Sequence, residues 1–132
     1  MASDNVELVR AMYERFARGE FWAADAYHPD VVFELVDWPE SATARGVDAM
    51  TQAWRSALAA WDDFHAEPTE YVEAEPHVVV MTHVTATGKG SEATVSADVA
   101  AVLTLEAGKV TRLALYWDTT KALEAAGVSH MP

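Results

Sequence analysis

Two segments of this chain, Val78 to Val84 and Val99 to Leu105, are apolar at both odd and even positions. Side chains alternate between the two faces of a sheet, so a strand apolar at both parities is hidden from water on both. A chain with two such strands must cover its sheet twice. The breaks around them, Glu75-Pro76, Gly88-Lys89-Gly90 and Glu106-Ala107-Gly108-Lys109, are hairpin-sized. With the Val-, Thr- and Tyr-rich segments 64–73 and 110–117, they predict an antiparallel meander of four long strands.

Upstream the period changes. Ser3 or Asp4 can cap a helix whose apolar positions Val6, Val9, Met12, Tyr13 and Phe16 recur at steps of three and four, with a stop at Arg18-Gly19. A second short helical stretch, 21–27, is closed by His28-Pro29-Asp30. A strand, Val31 to Val36, ends at Asp37-Trp38-Pro39. A third helix opens at Arg45-Gly46-Val47-Asp48, carries Met50, Ala53, Trp54, Ala57, Leu58 and Trp61 on one stripe, and closes at Asp62-Asp63. Residues 119–126 predict a last helical turn or two before Gly127.

The order is that of an α+β fold: an antiparallel sheet with three to four helices on one face, built as a single domain over residues 1–132. The other face is expected to meet a second subunit, giving a homodimer. The alternative is that Thr82, Asp98, Arg112 and Tyr116 keep that face wet.

Charge narrows the partners. Nine Lys+Arg against 21 Asp+Glu give a net charge of -12, and the basic residues stand singly, so phosphate-rich surfaces are repelled. Neither nucleic acid nor a membrane surface is an expected partner. The chain has no Cys, which removes thiolate nucleophiles, disulfides and zinc–thiolate or iron–sulfur sites. The five His make no i,i+4 or His-x-His pattern, so no metal is expected. With no long apolar run and no apolar leader at Met1-Ala2-Ser3-Asp4-Asn5, a cytoplasmic protein is the expectation.

Several local signatures occur together and in order: Tyr13-Glu14-Arg15-Phe16, Arg18-Gly19-Glu20, His28-Pro29-Asp30-Val31, Arg45-Gly46, Gly88-Lys89-Gly90-Ser91, Gly108-Lys109-Val110 and the run from Ala122 to Gly127. This set resembles the SnoaL-like branch of the nuclear-transport-factor-2-like superfamily over essentially the whole chain. Polyketide cyclases, ketosteroid isomerase, scytalone dehydratase and limonene epoxide hydrolase share that cone-shaped fold. The resemblance implies a pocket between the concave sheet face and the helices that holds one small hydrophobic molecule, and a homodimer through the convex face. It also implies that Met12, Leu35 and Ala101 stand where ketosteroid isomerase places its Tyr and two Asp, and Leu115 where the cyclases place an Asp. None of these four moves a proton. A slip of one residue would instead turn Glu34 or Asp98 inward.

With Ala101 inward, Val99 and Leu103 follow, and Leu113, Leu115 and Trp117 pair with them; Val79, Met81, His83 and Thr85 are expected beside them on the next strand. His83 is then the outstanding polar group of an apolar lining, either a general base or a structural histidine bonded to a neighbour. Asp37 could orient it from the pocket mouth, or bond only backbone in its own turn. Tyr13 could reach inward as a weak acid, or be core. Trp38, Trp54 and Trp117 could wall a planar ligand.

Two functions remain open. One is an enzyme working without a cofactor as a cyclase, isomerase, dehydratase or hydrolase on a hydrophobic metabolite, with His83, Asp37 and Tyr13 as its acid/base groups. The other is a non-catalytic binder of an apolar or aromatic metabolite, or a dimeric interaction module.

Overall fold

The meander forms as the strand pattern predicts. The computed structural model describes residues 4–17, 26–37, 42–59, 61–74, 76–88, 90 and 93–127. Its elements are α1 (Asp4–Ala17), β1 (Tyr27–Leu35), β2 (Ala42–Arg45), α2 (Val47–Leu58), β3 (Trp61–Ala74), β4 (His77–Gly88), β5 (Thr94–Glu106), β6 (Lys109–Tyr116) and α3 (Thr119–Ala125). They build one curved, unclosed six-stranded sheet in the order β2-β1-β6-β5-β4-β3. All neighbours are antiparallel except β1 and β6, which run parallel. The long chain between those two strands is what permits a parallel pair, which no hairpin can make.

Local boundaries differ from expectation in three places. Tyr27 to Asp30 lie in β1, not in a helix and its stop. His28 Nδ1 accepts the Asp30 N–H at 3.0 Å, at the irregularity that separates Tyr27 from Val32 in the ladder with β6. Residues 21–25 of the expected second helix lie outside the described residues. The third helix, α2, stops at Leu58, because Trp61 and Asp62 already pair with Gly88 and Thr87 as β3. The four-residue strand β2 was not anticipated; it pairs with β1 and hands the chain to α2 through Gly46. Gly46 sits at φ 90, open to glycine at no steric cost, and its N–H bonds Val31 C=O at 2.7 Å.

Both faces are covered, as the doubly apolar strands require. On the inner face, Val6 and Val9 of α1 and Met50 of α2 pack on Val31, Phe33, Leu35, Val78, Val80, Ala101, Leu103, Leu105 and Val110. On the outer face lies α3, whose Ala122, Leu123 and Ala126 pack on Val79, Ala100, Val102, Ala114 and Tyr116. The helices therefore do not all share the concave face. Alanines meet alanines under α3, which lets a short helix lie close to the sheet. Part of the surface expected to receive a second subunit is thus filled by this chain's own C-terminal helix. None of the described helices is long and apolar enough to cross a membrane.

Register decides what each face carries. Gly88 N–H bonds Ala93 C=O, closing the β4–β5 hairpin around the four positions 89–92. An even loop length pairs odd residues of β4 with even residues of β5, so Val80 stands opposite Ala101, Thr82 opposite Val99 and His83 opposite Asp98.

Candidate functional site

Polar groups on the inner face are hydroxyls. Tyr13 follows Val9 by one turn of α1 and packs against the inner core, and its phenol is hydrogen-bonded to Thr82 of β4. Thr82, the one buried polar side chain in a row of valines, also donates to Val80 C=O at 3.3 Å. Tyr71 of β3 meets Tyr13 edge to face, with ring centroids 6.2 Å apart at 89°, and Arg10 lies 4.6 Å over the Tyr71 ring. Tyr27, at the start of β1, is near enough to act electrostatically on Tyr13.

Burial sets the protonation of this group. It pushes the Tyr27 phenol up to about 12, and it raises Tyr13 beyond that, with Tyr27 and Tyr71 adding to the effect. Burial also raises Tyr71. All three are therefore neutral hydrogen-bond donors at physiological pH rather than bases. The linkage has a definite sign: a folded pKa above the unfolded one means that native protein holds protons the unfolded chain releases. Stability is then complete below pH 10 and falls between pH 10 and 12. Tyrosinate absorbance near 295 nm is expected to rise for Tyr13 and Tyr27 only together with loss of the native circular dichroism. Smooth titration of all four tyrosines at pH 10 in folded protein would contradict the buried cluster.

Around the hydroxyls the lining is apolar and accessible. Met12, Tyr13, Leu113 and Leu115 pack against the inner core yet remain half-buried. Leu35 and Ala101 are buried there, and Val99 stands on the same face opposite Thr82. A separate open depression of about 560 Å³ lies where β1 meets α2, walled by Tyr27, Pro29, Arg45, Gly46 and Val47.

The expected place of His83 is corrected. With Met81, Val79 and Thr85 it belongs to the outer face, because β4 sits one residue out of the expected phase against β5. There His83 Nδ1 lies 2.8 Å from Asp98 Oδ1 and its Nε2 lies 3.0 Å from Ser96 Oγ. Asp37 does not meet it, since β6 and β5 stand between β1 and β4 and the separation is about 14 Å across three strand spacings. The Asp37 carboxylate instead accepts the N–H groups of Trp117 at 2.6 Å and Asp118 at 3.0 Å. That is a backbone role, played toward a distant segment rather than its own turn. Glu34 faces outward and pairs with Arg112. Trp117, just past β6, is half-buried. Trp38 and the side chain of Trp54 lie outside the described residues.

Tyr27, Tyr71 and Thr82 were not among the residues singled out from the sequence. Thr82 was assigned to the outer face, and only the phase of β4 would have brought it in beside Tyr13. Among the described residues no group of three or more His, Asp or Glu could hold a metal ion.

A family model described as a SnoaL-like domain matches residues 9–113. No curated protein matches the chain significantly. Among solved structures, an NTF2-like protein of unknown function from Burkholderia pseudomallei is 22% identical, with a TM-score of 0.78 over 93% of this chain and 97% of that one. TerC, co-crystallised with polyporic acid, is 22% identical at TM-score 0.73 over 95% of this chain and 99% of its own. A protein described as a SnoaL-like polyketide cyclase from Mesorhizobium loti is 20% identical at TM-score 0.67 over 84% and 97%. At these identities the likeness establishes the fold alone.

Proposed function

The chain belongs to the SnoaL-like domain family, and from that premise we propose that its inner face binds a small, largely apolar organic molecule by one hydrogen-bond-accepting oxygen. The observation that carries this reading is the hydrogen-bonded pair of half-buried Tyr13 and buried Thr82, flanked by Tyr27 and Tyr71, beside half-buried Met12, Leu113 and Leu115. An apolar concavity with a few convergent polar groups is the usual form of a small-molecule site. Neutral phenols donate to a carbonyl or hydroxyl oxygen, Tyr13 by turning its O–H from Thr82 Oγ1 to the ligand. Co-crystallisation of TerC, a protein of similar fold, with polyporic acid supports the same use of the fold.

Chemically, such a donor polarises a carbonyl, which is the electrophilic half of enolisation or cyclisation. The basic half was expected of His83, which stands on the opposite face. Binding with carbonyl polarisation is therefore the function supported best, ahead of a complete acid/base enzyme. Calorimetric titration with a panel of neutral aromatic ketones is expected to find a ligand whose affinity falls about tenfold in Tyr13→Phe, the worth of one buried hydrogen bond. Equal affinity of wild type and Tyr13→Phe for every ligand found would reject Tyr13 as the anchor.

A further inference from the structure

Beyond the rows that α3 covers, the outer face carries a continuous hydrogen-bonded chain of three side chains. Asp98 Oδ1 lies 2.8 Å from His83 Nδ1, and His83 Nε2 lies 3.0 Å from Ser96 Oγ. An ionised carboxylate only accepts, so Nδ1 carries the proton and the Nε2 lone pair accepts the Ser96 O–H. This tautomer is the one that general-base activation of a serine requires. The ladder builds the arrangement. His83 stands directly opposite Asp98, and Ser96, two residues before Asp98 on β5, occupies the next row of the same face.

The backbone supplies a second element. In an antiparallel pair, residues that exchange hydrogen bonds alternate with residues whose N–H and C=O groups point away from the partner. The Gly88 N–H bond to Ala93 C=O fixes that alternation, so Ser96 and Asp98 turn their amides away from β4. On that side β6 ends at Tyr116, opposite Ala100, and among the described residues no strand pairs with β5 at 94–99. The Ser96 N–H is thus directed to the open edge beside its own Oγ, where a tetrahedral adduct would place its oxyanion.

We propose that Ser96, His83 and Asp98 form a second, surface nucleophilic site that accepts acyl groups from small activated carboxylic esters. Ser96 Oγ attacks the ester carbonyl while His83 Nε2 takes its proton. The adduct collapses with cleavage of the carbonyl–oxygen bond of the leaving group, which departs as the alcohol with the proton from His83. Water, deprotonated by His83 Nε2, then attacks the acyl-serine carbonyl; the acyl–Oγ bond breaks, His83 returns the proton to Ser96 Oγ, and the carboxylic acid leaves. Asp98 is a positioning residue that holds the imidazole in its tautomer. The exposed setting of Ser96 and Asp98 suits the site to small acyl groups on good leaving groups. This proposal goes beyond the inner-face reading and shares no residue with it.

The probe is p-nitrophenyl acetate, with peptide mass spectrometry of the intact chain after brief exposure. Acetylation of Ser96 is expected, slowed about a hundredfold in His83→Ala, as for loss of a positioned general base. Asp98→Asn is expected to slow it as well, and Asp98→Glu to restore part of the rate. Unchanged melting temperatures for these exposed positions keep the comparison valid. Acetyl groups found only on lysines or the N-terminal amine, or Ser96 acetylated at the same rate without His83, would overturn the proposal.

Discussion

Phe33→Ala is expected to destabilise the chain by about 3–5 kcal/mol, the range for truncating a fully buried aromatic. Phe33 is 1% exposed, at the centre of β1, in the inner cluster that receives α1 and α2. Its loss removes dispersion contacts within the inner cluster, and the sheet cannot close the void because β1 is held between β2 and β6 by two ladders. Against a total stability of about 5–15 kcal/mol, a loss of that size brings the chain near its limit. Urea unfolding followed by Trp fluorescence should show the midpoint falling by roughly 2 M at a typical slope for a domain of this size. A shift under 0.5 M would mean that the inner layer is not packed around Phe33.

Asp37→Ala is expected to cost about 2–3 kcal/mol, since it leaves two backbone N–H groups without their charged acceptor. The effect should concentrate on α3. Asp118, one of the two residues held by Asp37, caps α3 by accepting from the N–H groups of Thr120 and Lys121. Val36 N–H bonds Leu115 C=O just ahead of these contacts, so Asp37 extends the β1–β6 pairing by side chain where the strands have ended. A seven-residue helix has little stability of its own and depends on docking. Hydrogen exchange should therefore quicken at 119–126 before it quickens in β4 and β5. Asp37→Asn, which retains one acceptor oxygen and presents an amide to the second N–H, should lie between wild type and Asp37→Ala. Uniform quickening across the sheet would show that Asp37 supports the whole fold rather than its C-terminal helix.

Much of the architecture was legible because periodicity carries it. The steps from Val6 to Tyr13 and from Met50 to Ala53 mark helices that need one apolar stripe, and both place those residues on the inner face. The doubly apolar runs in β4 and β5 required two covering layers, and two were found. What covers the outer face was not legible: 119–126 reads as a short helix, and nothing in its order says which face it will join. Ala100 and Ala114 answer that only once they are known to share a face with each other.

The inward placement of Met81 and His83 is overturned for the same reason. Met12 lies on the apolar stripe of α1, Leu35 shares the inward parity of β1 that Glu34 breaks on the other side, and Ala101 and Leu115 stand directly opposite each other. In β4 the sequence Val78-Val79-Val80-Met81 is apolar whichever way it turns, so it carries no signal of phase. Choosing Met81 and His83 as inward residues was a choice between equals.

An α+β chain with a twice-covered sheet, the stripes of α1 and α2, the short α3, the meander and the net acidity are legible along the chain. Those follow from patterns confined to neighbouring residues. Only the tertiary structure decided that Thr82 and not His83 faces Tyr13, and that His83 joins Asp98 and Ser96 outside. The deciding quantity is the even length of the loop between Gly88 and Ala93, a count that composition and periodicity do not contain. One residue more or less in that turn would exchange every side chain of β4 between the two faces.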